Sequence, residues 1–287
     1  MDFYSIPNRV ASFLVTTSLF LAINGSFKVF FSGSLFHIFT FNMLIITFLT
    51  TFGTYGLNKL TDLKEDSINT PERAKTIKKI ELIFKLSVVL SFFLSLALGF
   101  FESIFTLPIL LFPLLLGILY SVRFSTKIPR LKDITGVKNF TIALSWAVGS
   151  TFFPLVYLTN KNLILIILIF YFFFLKSYIN SIIFDVRDID GDRMSGVRTI
   201  PVSLGREKTK MLLLILNSTL LLWLLIFMDY FMKYFYVLFF SIAYGYWYIM
   251  HFCGAGIKPG KSLDLLVDGE FILISVLAIF VKNKSPF

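Results

Sequence analysis

The stretch NKLTDLKEDSINTPER, residues 58–73, packs Asn58, Asp62, Glu65, Asp66, Asn69 and Glu72 into about four helical turns. The rest of the chain is the opposite in character. Of its 287 residues 56% are hydrophobic and 36 are phenylalanine, and the mean hydropathy is +0.81. Asn58, Asp62 and Asp66 are spaced i, i+4, i+8, so a helix running past Asn58 projects all three from one face toward a shared point. Like charges so arranged repel. They are tolerated where a divalent cation or bound cationic groups lie between them, and hard oxygen donors suit Mg²⁺.

Outward from this stretch, apolar runs repeatedly approach the roughly 20 residues that span a bilayer. With Gly, Pro and charge as punctuation, nine candidate spans lie near residues 8–27, 36–58, 78–99, 103–122, 137–158, 162–184, 209–228, 231–251 and 265–283. Long uncharged runs favour helices over barrel strands, which alternate over about ten residues. The expected fold class is therefore all-α, a multi-pass protein of the cell membrane forming a single domain over residues 1–287. The first span has no small-residue cleavage site after it and is read as retained.

The net charge of +10 does not mark a nucleic-acid binder, because the bases are distributed by loop. Residues 56–80 carry six Lys or Arg, 123–138 carry five, 185–210 carry six and 251–264 carry two, while the other connections carry at most one each. The positive-inside rule makes those four loops cytoplasmic, with the N-terminus inside and the C-terminus outside. Cys253 is the single cysteine, which excludes an intramolecular disulfide. His37 and His251 stand far apart and read as helix-end residues.

Of 17 acidic residues, nine lie in two of these loops. The second loop, FDVRDIDGDRMSGVRTIPVSLG at residues 184–205, carries Asp185, Asp188 and Asp192 as D-x-x-D-x-x-x-D, with Gly191 interrupting the helical pattern between the last two. Each acidic motif follows the second helix of a four-helix block, which gives two four-helix pseudo-repeats plus a ninth helix. Pseudo-symmetric packing would put both motifs on one central cavity. Membrane orientation depends on Lys and Arg rather than on Asp and Glu, so topology alone leaves the paired carboxylates unexplained.

Bases interleave with the acids. Arg73 follows the first motif, Tyr120, Arg123 and Lys127 lie in YSVRFSTK, and Arg193 and Arg198 follow the second. Carboxylates, Mg²⁺ and Arg together suit a diphosphate, whose oxygens accept charge-assisted hydrogen bonds while metals bridge them. Asn139, Ser145 and Trp146 share the fifth span just beyond the basic loop and are candidates for acceptor contact. Lys176 and Asn180 sit inside the sixth span, where polar groups are costly, with snorkelling of Lys176 to the interface as the alternative. Pro113 and Pro154 mark kinks.

These residues resemble the UbiA superfamily of intramembrane prenyltransferases. The N-D-x-x-D-x-x-x-D motif of that family is matched by Asn58, Asp62 and Asp66, and its second motif by Asp185, Asp188, Asp192, Gly196 and the TIPV tail. The Tyr120–Ser121 pair ahead of the basic third loop is similar too. Lys59 departs from the pattern where the family has Asp, and Ala74 with Lys75 follows Arg73 where many members have Pro.

The resemblance implies Mg²⁺-dependent transfer of a polyprenyl group from its diphosphate to a lipophilic acceptor within the membrane. It implies a catalytic set of Asp62, Asp66, Asp188 and Asp192, metal held by these with Asn58 and Asp185, and diphosphate bound by Arg73, Arg123, Lys127, Tyr120 and Arg198. Partners are then a polyprenyl diphosphate, an acceptor and membrane lipid, with no nucleic acid. An aromatic acceptor is the first expectation and a glycerol-lipid phosphate the alternative. An ion-coupled transporter is the rival from another class, disfavoured because its binding groups would lie near the bilayer midplane.

Overall fold

The computed structural model describes residues 5–63, 66–67, 70–125, 129–194, 196–254 and 261–284, and among these it is all-helical. The main helices are α1 (Ser5–Thr16), α2 (Leu19–Leu35), α3 (Phe41–Thr61), α4 (Pro71–Lys79), α5 (Glu81–Glu102), α6 (Thr106–Ser121) and α7 (Val137–Leu155). They continue as α8 (Leu163–Arg187), α9 (Ile189–Met194), α10 (Ile200–Leu204), α11 (Arg206–Ile226), α12 (Phe235–Phe252) and α13 (Glu270–Lys284).

Each of the nine apolar segments is helical, but the first is not one straight rod. α1 and α2 meet at a 75° bend, where Ser18 adopts a left-handed φ of 64° and the Thr17 hydroxyl donates back to the Phe13 carbonyl at 2.8 Å. Consecutive hydroxyl side chains in the TTS run at residues 16–18 offer the backbone a local alternative to the helix. α2 then runs on to Leu35, well past the expected end at residue 27, and carries Lys28 into the interior at 3% exposure.

Three described helices, α5, α8 and α11, are long and apolar enough to cross a membrane, and the bent α1–α2 pair would make a fourth. The chain is a multi-pass membrane protein on that basis, short of the nine spans expected. α6 has only 16 residues, about 24 Å of rise. α3 interrupts its apolar run with Thr47, Thr50, Thr51 and Thr54, whose positions line a cavity rather than the outer surface. Outward-facing apolar residues such as Leu82, Phe93 and Phe101 on α5 are exposed, as a lipid-facing surface requires.

α3 packs along α5, α7 along α8, and α2 lies against α3, α7 and α13. The largest apolar cluster gathers around α8, where Phe172, Phe173 and Phe271 are fully buried against Phe31 and Trp223. Lys176 does not snorkel. It is fully buried, with its ammonium 2.5 Å from Glu270 and donating to the Tyr248 hydroxyl at 3.0 Å and the Ser241 carbonyl at 3.2 Å. Tyr248 in turn donates to Asn180 at 2.8 Å. A buried cation persists only when paired and hydrogen-bonded, and this network meets both conditions.

Candidate active site

The first acidic stretch keeps its helical ladder beyond the end of α3. Asp62 N–H donates to the Asn58 carbonyl at 3.0 Å, Asp66 to Asp62 at 2.7 Å and Thr70 to Asp66 at 2.8 Å. The second motif does the same across Gly191, since Asp192 N–H donates to the Asp188 carbonyl at 2.8 Å. The i, i+4 pairing of Asp188 with Asp192 therefore holds even though α8 ends at Arg187 and α9 begins at Ile189.

The side chains do not converge on one point as the spacing suggested. Among the described residues no three acidic or His/Cys groups are gathered closely enough to hold a metal between them. Basic neighbours pair with them instead. Lys132 pairs with Asp62, Arg130 lies 3.8 Å from it, Arg73 lies 3.5 Å from Asp66, and Arg187 donates to both oxygens of Asp188 at 2.8 and 3.1 Å. Asp185 is 1% exposed and accepts from Lys138 at 2.6 Å and Asn139 at 2.8 Å. Asn58 accepts from the Ser121 hydroxyl at 3.1 Å.

Asp192 differs. Its Oδ2 is buried without a hydrogen-bond partner among the described residues, and burial, aided by the charges of Asp185 and Asp188 against the pull of Lys138, pushes its pKa up to about 6. An orphaned carboxylate oxygen is what a hard divalent cation would relieve, and the carboxylates of the two motifs supply the oxygen donors that suit Mg²⁺.

Asn58 of the first motif and Asp185 and Asp188 of the second reach one cavity of about 240 Å³, lined by Asn58, Lys59 and Arg73 from one side and Lys138, Asp185, Arg187 and Asp188 from the other, while Asp62, Asp66 and Asp192 do not line it. A second, mostly apolar cavity of about 110 Å³ lies between α3, α6 and α7. Tyr55, Asn58, Tyr120, Ile142 and Trp146 line both. Trp146 donates its indole N–H to the Tyr55 hydroxyl at 2.8 Å, and the two rings stack with centroids 5.9 Å apart.

The expected site residues divide accordingly. Arg73 and Tyr120 line the polar cavity. Arg123 does not; it is exposed and bridged to Asp133 at 3.3 Å, a carboxyl that its hydrogen bonds from Arg130 and Arg123 hold below the usual carboxylate range despite partial burial. Arg193 and Arg198 are exposed, and Lys127, Glu65 and Asn69 lie outside the described residues. Asn139 donates to Asp185 and lines neither cavity, and Ser145 lines the apolar cavity while donating to the Thr141 carbonyl at 2.9 Å.

Several cavity residues escaped the sequence. Lys28 lay one residue beyond the expected first span and counted as a loop charge. Lys138 sat at the end of a basic loop. Asp264 and Asp268, in DLLVD, repeat the i, i+4 carboxylate spacing within a π-helical turn, a feature often found at functional sites. That spacing was the missed signal.

A polar cavity with carboxylates on its wall thus adjoins an apolar one inside a helical membrane protein. The chain belongs to the UbiA prenyltransferase family, whose model matches residues 11–256. Its curated relatives include the digeranylgeranylglyceryl phosphate synthases of Methanosphaera stadtmanae, 30% identical over 184 residues covering 62% of this chain and 64% of that one, and of Sulfolobus acidocaldarius, 28% identical over 168 residues covering 58% of each. The matched stretch thus spans less than two thirds of those relatives' length.

Among solved structures, a UbiA homolog from Archaeoglobus fulgidus bound to GPP and Mg²⁺ is similar with a TM-score of 0.69 at 18% identity, covering 93% of this chain and 96% of that one. A structure described as digeranylgeranylglyceryl phosphate synthase in membranes gives 0.59 at 20% identity, covering 93% and 95%. These likenesses establish the shared fold.

Proposed function

We propose that this protein transfers a polyprenyl group from its diphosphate to the hydroxyl of a glycerol-lipid phosphate within the membrane, with Mg²⁺ as cofactor. The observation that carries the reading is one polar cavity on which Asn58 of the first motif meets Asp185 and Asp188 of the second, and which shares lining residues with an apolar cavity. The two parts match the two parts of a prenyl diphosphate. The glycerol-lipid phosphate replaces the aromatic acceptor expected first, because the curated relatives are named as digeranylgeranylglyceryl phosphate synthases.

In this reading Asn58, Asp62, Asp66, Asp188 and Asp192 hold Mg²⁺, which when bound neutralises charge on the departing diphosphate. Asp185, fixed by Lys138 and Asn139, orients the second ladder. Arg73 is freed from Asp66 to take diphosphate oxygens through charge-assisted hydrogen bonds, and Lys59 and Tyr120 add positive charge and a donor on the same wall. The prenyl chain occupies the apolar cavity, and the faces of Tyr55 and Trp146 at its mouth shelter positive charge developing on the allylic carbon.

The reading extends to nine membrane-spanning helices in one domain, with both ladders on the cytoplasmic side. Lys and Arg concentrate in the loops that carry them.

The test is incubation of purified protein in detergent with a prenyl diphosphate, Mg²⁺ and a prenylglyceryl phosphate. Release of diphosphate together with an ether product of the expected mass supports the reading. Turnover only with an aromatic acceptor, or no diphosphate release, would refute it.

A further inference from the structure

Lys28 is the one charged residue of α2, and it is 3% exposed. Its ammonium has three N–H donors and a single hydrogen-bond acceptor among the described residues, the Ser177 hydroxyl at 3.0 Å. Two aromatic faces hold it, with the Trp146 ring centroid at 4.2 Å and that of Phe271 at 4.6 Å. It lines the same cavity as Asn58, Asp185 and Asp188. A buried cation that its own protein leaves short of acceptors is costly in a membrane interior and marks a ligand's position.

Asp268 lines this cavity too. It makes no hydrogen bond or ion pair with the described residues, although the charges of Lys28, Arg187 and Lys59 act on it. Asp264, one turn earlier, is engaged by Arg187 at 3.2 Å. Asn24, one turn before Lys28 and also a cavity residue, is 3% exposed, and its amide oxygen has no partner among the described residues. The side of the cavity formed by α2 and the start of the ninth apolar segment thus holds an under-satisfied cation, a free carboxylate and an orphaned amide oxygen. None is used by the diphosphate site.

We infer that this side is the acceptor's headgroup subsite, with Lys28 binding the acceptor phosphate and Asp268 taking the proton from the attacking hydroxyl. The inference rests on the glycerol-lipid phosphate reading above. Trp146 stands where the two substrates would meet, since its ring carries Lys28 and the residue lines both cavities. In the step, the bond between the allylic carbon and the diphosphate oxygen breaks, its electron pair leaving with diphosphate. The acceptor oxygen forms the new C–O ether bond, and its proton passes to the Asp268 carboxylate.

The test compares a prenylglyceryl phosphate with the same prenylglycerol lacking the phosphate, in the wild type, Lys28→Met, Lys28→Arg and Asp268→Asn. Wild-type kcat/KM should favour the phosphorylated acceptor by about tenfold to a hundredfold, the worth of a charged hydrogen bond. Lys28→Met should raise the KM for the phosphorylated acceptor by that factor and erase the preference, and Lys28→Arg should restore part of it. Asp268→Asn should lower kcat about a hundredfold or more with little change in acceptor KM.

A wild type indifferent to the phosphate would overturn the inference without any variant having to fold. So would a Lys28→Met enzyme with unchanged acceptor preference, or an Asp268→Asn enzyme with unchanged kcat. A wild type that converts neither acceptor would overturn the proposed function and this inference together, which separates the two failures.

Discussion

Asp62 and Asp188 share one backbone conformation, φ −95° and ψ 6° against φ −94° and ψ 6°, and each caps the helix that delivers its motif. In each, the residue four positions on, Asp66 or Asp192, donates its N–H back to the capping carbonyl. The helical register thus survives the end of the long helix in both motifs and spaces the next carboxylate by one turn. The repeated acidic motifs of the sequence have this repeated geometry as their physical counterpart.

Asn139 and Lys138 are the partners of a carboxylate that is almost wholly buried, so their loss should loosen the second ladder while leaving the fold intact. Asn139→Ala should lower turnover about tenfold to a hundredfold and raise the Mg²⁺ concentration for half-maximal diphosphate release. A Mg²⁺ titration of the variant checks this; an unchanged curve would mean that Asn139 serves only packing.

Asp192 offers a pH test. Its folded pKa is raised to about 6, above the ordinary unfolded value of about 3.9. Its proton-bound form therefore favours folding below about pH 4, and that contribution is lost as pH rises through 6. In metal-free protein, Asp192→Asn should raise the melting temperature at pH 7 relative to wild type, and the advantage should vanish below about pH 4. Thermal melts with chelator at both pH values measure it, and a destabilised variant at pH 7 would contradict the assigned cost of burying the charged carboxylate.

Gly149 lines the apolar cavity, and a Cβ built on it meets no atom within 4 Å. Gly149→Leu should therefore fold, fill part of the cavity and raise the KM for a twenty-carbon donor about tenfold relative to a ten-carbon one, on the order of the one to three kcal/mol that pocket contacts supply. Paired donor titrations decide it. Equal effects on both donors would move the prenyl chain elsewhere.

The acidic ladders and the helical class were legible because carboxylate spacing and apolar length are local properties of the chain. What pairs with each acid was not. Lys132 meets Asp62 across 70 residues and Lys138 meets Asp185 across 47, contacts that depend on how helices pack. Arg123, adjacent to the site in sequence, is instead held by Asp133. Lys28 was hidden by a bend at Ser18 that lengthens the first segment, and Lys176 by Glu270, whose place on a helix 94 positions later gives no local sign of pairing.

That last pair carries its own expectation. Glu270→Gln should destabilise the protein by about 3 kcal/mol because Lys176 is left buried without a counter-charge, and Lys176→Met combined with Glu270→Leu should recover most of the loss. Melting of the single and double variants in detergent measures this. A single variant as stable as wild type would show that Lys176 finds another partner.

Mg²⁺-dependent diphosphate release from Asp62→Asn, Asp188→Asn and their combination bears most directly on the two-ladder site. If both ladders clamp one diphosphate, each single variant loses most turnover and the double loses little more, because residues acting as a unit are not additive. Near-normal release from either single variant, in protein with a wild-type melting temperature, would contradict the account and leave the ladders as a solvated loop surface.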